Sequence, residues 1–428
     1  MNWYRPFASV IGAALKRGWR VECWHDIGTP MPERPADFPS IAAAPFPASE
    51  VLFREYRGFE ELSSLMSRKT VDVVVNTIPP VGARADNWPR KSFRPLYVCI
   101  NGSPMDCMMY VRDEENVRQV DMFSIETPYW VKPTINTVRE TDYVSLSTEV
   151  ETELRRKCRP VGWPSVDQRT IIDPTEVRRR WDIPERQPVV VYFNWGDGRS
   201  VGLRAAMYSA VSIRDKAAAL IRHFKEWRFA LKALLEPGIN SIMRAIRTFC
   251  DRNDAFLIVK HRHRDNLWPA EITAADKVIV DESYYPHTIW QVMSIADLAM
   301  GYFSFAVRES VASKVPYLAL DVAGFVDQVY FQKQGPFLSN LAGKNGFFNF
   351  PGVVRTMDDS KIVNQLPQMS LADFQMDSTA YDEYYAKYLA VPGAANSELF
   401  LDEIQKLIAK ERGVLVQTSR LTAGMVSS

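Results

Sequence analysis

No Cys-x-x-Cys pair occurs in this sequence, and its five cysteines (Cys23, Cys99, Cys107, Cys158, Cys250) are scattered and odd in number. That pattern argues against a zinc site and against a disulfide framework, and for a reducing compartment. No apolar run approaches the ~20 residues of a membrane-spanning helix. Charge of either sign is not in excess, with 52 Lys and Arg against 51 Asp and Glu for a net charge of +1. Whole-chain electrostatics therefore give no pointer to a nucleic-acid partner. There is no internal repeat and no low-complexity tract. The expectation is a cytoplasmic protein.

What is present is ordinary globular material, 46% hydrophobic and 24% charged over 428 residues. That length suits two domains of about 150–200 residues each. Aromatic content is 12%, with 11 Trp, which suits stacking on carbohydrate or nucleobase as well as plain packing.

The stretch from Val278 to Asp321 organises the rest. It reads as strand (Val278–Val280), helix (Thr288–Ile295), strand (Asp297–Met300), helix (Ala306–Lys314, ended by Pro316) and strand (Tyr317–Leu320). Elements of this length in alternation build parallel α/β sheet, and ligands bind outside the carboxyl ends of its strands. Here that edge is Gly301–Ser304, followed by Phe305 and a helix with Glu309 in its first turn. Backbone N–H groups at a helix start suit a phosphate, and a carboxylate one turn in suits a ribose diol. The bland alternative is a βα turn with a surface glutamate.

Before that stretch, the periodicity predicts a helix over Pro6–Lys16, closed by Gly18, and a strand over Arg20–Trp24. Only Met1–Arg5 precede them, where such folds open with a strand, so either the N-terminus is truncated or that strand is absent. Thr29–Pro47 is Pro-rich loop. A helix over Phe59–Ser67 follows, then strands over Val71–Asn76 and Pro95–Ile100, the latter running into Asn101-Gly102-Ser103-Pro104. Asp121–Glu126 and Asp142–Ser145 read as short strands and Thr148–Cys158 as a helix. Val161–Asp173 breaks both periodicities and reads as a crossover linker. Beyond it come a helix (Pro174–Trp181) and a β-branched strand (Pro188–Phe193) that ends in a turn holding Asn194 and Gly196. Helices Leu203–Leu235 and Gly238–Asp251 precede a strand over Ala255–Lys260, which ends in Lys260-His261-Arg262-His263-Arg264. Gly335–Phe350 is aromatic-rich loop, and Leu399–Lys410 closes the chain as a helix. The domains are thus expected at 1–160 and 161–398, with a closing helix at 399–412 and a tail at 413–428.

The order of these pieces resembles the GT-B glycosyltransferases. Asp142–Arg155 is similar to the "D-hydrophobic-x-x-S … helix" that ends their first domain, and Val161-Gly162-Trp163-Pro164 with Asp167 to the "G-x-P … D" crossover. Ile258–Asp265 stands in the place of a "K-x-H-P" segment. Tyr284–Asp297 is similar to "y…lL…aD", Ser304 with Glu309 to the "S-S … E" phosphate and ribose segment, and Val391–Ile408 to the closing helix. By pattern the chain resembles the surface-polysaccharide and CDP-glycerol glycerophosphotransferase clan. The resemblance implies an α/β protein of two Rossmann-like domains facing across a cleft, with a helical insertion in the second. It implies transfer of a sugar or polyol-phosphate from a nucleotide-sugar or CDP-polyol donor to a saccharide or lipid-linked acceptor, with no further cofactor and no metal. A UDP-N-acetylhexosamine 2-epimerase and a catalytically inactive nucleotide-sugar-binding module are the alternatives. Two departures matter: Asn101-Gly102 stands where the glycerophosphotransferases carry a His-Gly pair, and His261-Arg262-His263-Arg264 replaces the His-Pro.

On that reading Lys260 and Arg262 neutralise the departing phosphate, and Ser304, Phe305, Glu309, Asn194 and Gly196 line the donor site. Strand alternation puts Lys260 and Arg262 on one side and His261 and His263 on the other. Two His two residues apart lack a third ligand of suitable spacing for a metal. Catalytic candidates are His261 and His263 and, as acceptor-side bases, Asp26 and Asp106. The predicted helix Leu203–Leu235 carries Arg204, Arg214, Lys216, Arg222, Lys225, Arg228 and Lys232 against Asp215 and Glu226. It suits peripheral contact with an anionic membrane at the inner face of the plasma membrane, or a solvated face with core aromatics.

Overall fold

A computed structural model describes residues 6–26, 46, 49–67, 71–77, 95–101, 114–140, 147–194, 213–214, 217, 221, 238–261, 267–280, 286–302, 304–321, 341, 343–390 and 395–411. The chain opens on α1 (Ala8–Lys16), which buries Ala8, Val10, Ile11, Ala13 and Ala14. Gly18 follows in the left-handed region at φ 72° and ends it. β1 (Val21–Asp26) pairs in parallel with β2 (Val51–Tyr56). After α2 (Gly58–Ser67), β3 (Val73–Asn76), β4 (Leu96–Cys99), β5 (Met122–Ile125) and β6 (Cys158–Pro160) form a second parallel sheet in that order. α3 (Glu114–Gln119), α4 (Val131–Glu140) and α5 (Thr148–Lys157) link its later strands. α1 covers both sheets, packing Val10, Ala13 and Ala14 against Val98 and Met122, and Ala8 and Ile11 against Val51. β2, α3 and α4 have no counterpart among the elements predicted from sequence. β2 holds Arg54 and Glu55, charges that hide an edge strand. The strand expected over 142–145 lies outside the described residues.

The crossover corrects the expectation of a linker. Pro164–Ile171 is a 3₁₀ helix with Ser165, Val166 and Gln168 buried. Through it Trp163 and Val166 join one apolar cluster.

The second domain runs through α6 (Pro174–Arg180), β7 (Val189–Phe193), α7 (Ile239–Arg252), β8 (Phe256–His261), α8 (Pro269–Ala274), β9 (Lys277–Val280), α9 (Thr288–Met293), β10 (Leu298–Gly301), α10 (Ala306–Ala312), β11 (Tyr317–Asp321), β12 (Val354–Asp358), α11 (Asp359–Asn364) and α12 (Ser378–Tyr388). Its sheet is parallel in the order β12-β11-β10-β7-β8-β9. The first strand sits in the middle, with later strands added to one side and then the other, which is the doubly wound Rossmann pattern. Both faces are covered, as parallel sheets require. Val189 and Val191 face one apolar cluster, Val190 and Tyr192 the other. The first of these clusters also takes in Tyr97, Phe123 and Trp130 of the first domain, so one core runs through both domains.

α13 (Asn396–Glu411) carries the chain back to the first domain, where Phe400, Leu401 and Ile404 pack on Val10 and Val98. Arg17 at the end of α1 donates to Glu398 and Asp402 of α13. The protein is therefore α/β, with two Rossmann-like domains facing across a cleft. Of the expected helical insertion at 203–235, Ile213, Arg214, Ala217 and Ile221 are described, and they are helical and exposed; the rest, like the tail at 413–428, lies outside the described residues. Among the described residues, no helix is long and apolar enough to cross a membrane.

Candidate active site

In the second domain's sheet the winding reverses between β7 and β10, which are hydrogen-bonded neighbours whose connections leave in opposite directions. A crevice outside the carboxyl ends of the strands opens at such a switch point. β7 delivers Asn194 to it, β8 delivers Lys260 and His261, and β10 delivers Tyr302 and Ser304.

Register decides which of these side chains meet. Phe193 is paired with Lys260, so Asn194 stands beside His261 on the same face. The Asn194 N–H donates to the Lys260 carbonyl at 3.3 Å, and Asn194 Nδ2 lies 3.1 Å from His261 Nδ1. With the amide donating, Nδ1 is the acceptor and the imidazole proton sits on Nε2. Lys260 points to the opposite face and is buried, with Nζ 3.5 Å from the His261 carbonyl. The alternation expected at this strand end is thus present for Lys260 and His261.

Behind the crevice, Gly301 has no room for a side chain, because a Cβ would lie 2.6 Å from Tyr317 Oη and 3.0 Å from Phe193 Cβ. Tyr317 Oη donates to the Tyr302 carbonyl at 3.0 Å, and Tyr192 Oη lies 3.3 Å from Tyr302 Oη. Burial pushes the Tyr317 hydroxyl pKa well above its ordinary range, so this tyrosine stays a neutral donor. It fixes the backbone just past β10.

Ser304 Oγ accepts from the Ala306 N–H at 3.3 Å, and Phe305 packs 5.8 Å from Phe347 between ring centroids. α10 is a helix of 7 residues, too short for its dipole to hold a phosphate alone. Among the described residues, the cation at the end of β8 is Lys260. Glu309 is wholly buried in α10, next to Arg308, whose guanidinium reaches Glu126 just past β5 of the first domain. The carboxyl edges of the two sheets therefore face each other.

On the first domain's edge, the Asn101 N–H donates to Ser124 Oγ at 3.0 Å and Nδ2 to the Ser124 carbonyl at 2.7 Å. An amide spent on tying β4 to β5 has no proton-accepting role near neutral pH. Asp26 ends β1 at the carboxyl edge of the two-stranded sheet; its side chain lies outside the described residues. So do Asp106, Gly196, Arg262 and His263 altogether. Among the described residues, no group of three or more His, Cys, Asp or Glu is placed to hold a metal ion.

Sequence reasoning missed Glu126 and Arg308. They lie 182 positions apart, and two isolated charges in an α/β chain read as surface. The one local signal is their neighbourhood, since Ile125 before Glu126 and Val307 before Arg308 belong to strongly apolar runs.

This arrangement is the GT-B fold. No family model matches the chain, and no curated protein matches it. Among solved structures it is similar to a variant of the wall teichoic acid polymerase TagF, with a TM-score of 0.53 at 11% identity over 94% of this chain and 85% of that one. A second TagF variant gives a TM-score of 0.50 at 12% identity over 95% and 86%. UGT89C1 of Arabidopsis thaliana complexed with UDP-L-rhamnose gives 0.49 at 13% identity over 95% of both chains. At these identities the likeness is one of fold.

Proposed function

We propose that the protein is a nucleotide-dependent transferase that moves a sugar or polyol-phosphate from a nucleotide-activated donor to a saccharide or lipid-linked acceptor in surface polysaccharide synthesis. The observation that carries this reading is the placement of Asn194, Lys260 and His261 at the carboxyl edge of the second domain's sheet, beside its switch point, with Asn194 and His261 on one face and Lys260 on the other. Either group at this edge suits a departing diphosphate, the lysine by its charge or the imidazole by a hydrogen bond. Ser304, Phe305 and Glu309 follow on the adjoining strand connection and are assigned to the rest of the donor. No metal enters this reading, and no cofactor besides the donor.

The acceptor side is the first domain's carboxyl edge, with Asp26 or Asp106 as the base. The basic segment 203–235 is assigned to an anionic membrane surface at the inner face of the plasma membrane. Ile213 and Ile221 support this, since both are helical and strongly exposed. One observation favours a second reading, an inactive nucleotide-sugar-binding module: Asn101 stands where the glycerophosphotransferases have a His.

Calorimetric titration of the full chain with CMP, CDP, UDP and GDP tests the donor assignment. One nucleoside diphosphate is expected to bind, and Lys260→Met to weaken it. Absence of binding by all four removes both readings.

A further inference from the structure

Arg308 and Glu126 belong to different domains and meet out of contact with solvent. Arg308 Nη1 lies 3.1 Å from Glu126 Oε1, and the two side chains are 2% and 1% exposed. The guanidinium carbon is 4.0 Å from the centroid of the Trp163 ring and 5.6 Å from that of Phe305. Three pieces of chain thus close on one side chain: the carboxyl end of β5, the crossover, and the start of α10.

Each of those pieces is itself fixed. The Glu126 carbonyl accepts from the Gly162 N–H at 3.0 Å. Its neighbour Thr127 donates from Oγ1 to the Lys387 carbonyl, and Trp130 donates its indole N–H to the Tyr388 carbonyl at 2.9 Å. Trp163 packs on Trp290 with ring centroids 5.3 Å apart.

A buried ion pair is a poor way to gain stability, because removing two charges from water costs about as much as their attraction returns. An apolar pair of similar volume would hold the seam as firmly. It would not set a direction, whereas a charge-assisted hydrogen bond has a defined geometry. We propose that Arg308 and Glu126 are the positioning pair that sets the register of the two domains. They hold the donor-side residues Ser304 and Phe305, one helical turn from Arg308, against the acceptor-side edge at Asn101 and Ser124. The functional consequence rests on the transferase reading; the positioning does not.

The test is the distance distribution between spin labels on the full chain. Labels go at Glu149→Cys in α5 and Ile272→Cys in α8, both exposed, with Cys23→Ser and Cys107→Ser to clear other thiols. Cys99, Cys158 and Cys250 are buried and stay unlabelled. The chain with Arg308 and Glu126 intact is expected to give one narrow distance. The double variant Arg308→Met, Glu126→Leu removes both charges of the pair; it is expected to melt cooperatively near the parent temperature but to give a broadened or split distribution. In a transfer assay its kcat is expected to fall about 10-fold or more with donor KM within about 2-fold, and Arg308→Lys alone to recover most of the loss. A double variant with the parent's single narrow distance overturns the proposal, whatever its kcat. If the double variant does not fold, the shape-conserving Glu126→Gln is judged by the same distance criterion. An absence of transfer in the parent chain sinks the donor reading and leaves the distance result to stand or fall by itself.

Discussion

Asn194 Nδ2 and His261 Nδ1 lie 3.1 Å apart across β7 and β8; with the amide nitrogen donating, the imidazole carries its proton on Nε2. A second residue that fixes the tautomer of a working histidine governs what that histidine can donate. Asn194→Leu keeps the volume and removes the donor. Its expected effect is a loss of about 10-fold or more in kcat, with a smaller change in donor KM. Steady-state kinetics that leave kcat unchanged show that the tautomer has no bearing on the reaction.

Gly162 sits at φ 74°, and a Cβ there would run into the side-chain amide of Asn396. Gly162→Ala therefore meets two costs. The left-handed backbone is worth about 1–2 kcal/mol and the overpacking about 1–3 kcal/mol. Asn396→Ala opens the space without relieving the backbone. In urea unfolding, the glycine substitution is expected to cost less in the Asn396→Ala background than in the parent, by about 1–3 kcal/mol. Equal costs in the two backgrounds rule out the contact.

How much of this was legible follows the physics of each element. β7, β8 and β10 are β-branched or apolar runs buried on both faces, and such runs announce themselves within a few residues. The Gly301–Glu309 stretch and the Lys260–His261 strand end were legible because a βα alternation places its ligand edge by topology alone. β12 was not, since Val354–Asp358 breaks its apolar run with Arg355 and Thr356. Nor was α12, whose buried side are the tyrosines Tyr384, Tyr385 and Tyr388. They read as polar, yet Tyr384 and Tyr388 pack edge and face with Phe347 and Phe350. The Arg308–Glu126 pair was invisible for a deeper reason. Nothing near either residue in sequence demands the other, and only the facing of the two carboxyl edges brings them together.

Asp358 offers a pH test away from the site. It caps α11 by accepting from the Lys361 N–H at 3.0 Å, and Lys361 Nζ lies 2.9 Å from its carboxylate. Partial burial pushes its pKa up, but the hydrogen bonds and charge of Lys361 outweigh this and hold it below the ordinary aspartate value. A carboxyl with a depressed folded pKa stabilises the fold above its unfolded pKa of about 3.9. That contribution is lost as pH falls through the folded value. Asn serves equally as an N-cap, so Asp358→Asn removes the charge alone. The difference in melting temperature between the parent and this variant is expected to be small and positive above about pH 5, and to vanish near pH 2. A difference that persists at low pH means that the cap geometry, not the charge, was changed.

Lys260 separates an enzyme from an inactive binding module. It is buried at the carboxyl end of β8, beside the crevice where a donor diphosphate is assigned. In a transfer reaction, charge builds on the departing phosphate as its bond to the transferred group breaks. A cation held there stabilises the transition state more than the bound donor. Lys260→Met keeps the stem and removes the charge. For an enzyme, kcat is expected to drop about 10²-fold or more while donor affinity changes less, and His261→Ala, which removes a hydrogen-bond donor from the same edge, to drop it by a smaller factor. For a module that binds without turnover, both substitutions weaken nucleotide affinity and there is no kcat to lose. Transfer or donor hydrolysis is measured beside calorimetric affinity for the parent and both variants. Unchanged kcat in both takes this strand end out of the active site. Parent turnover equal to the uncatalysed rate, across a panel of nucleotide donors with saccharide and lipid acceptors, decides for the module.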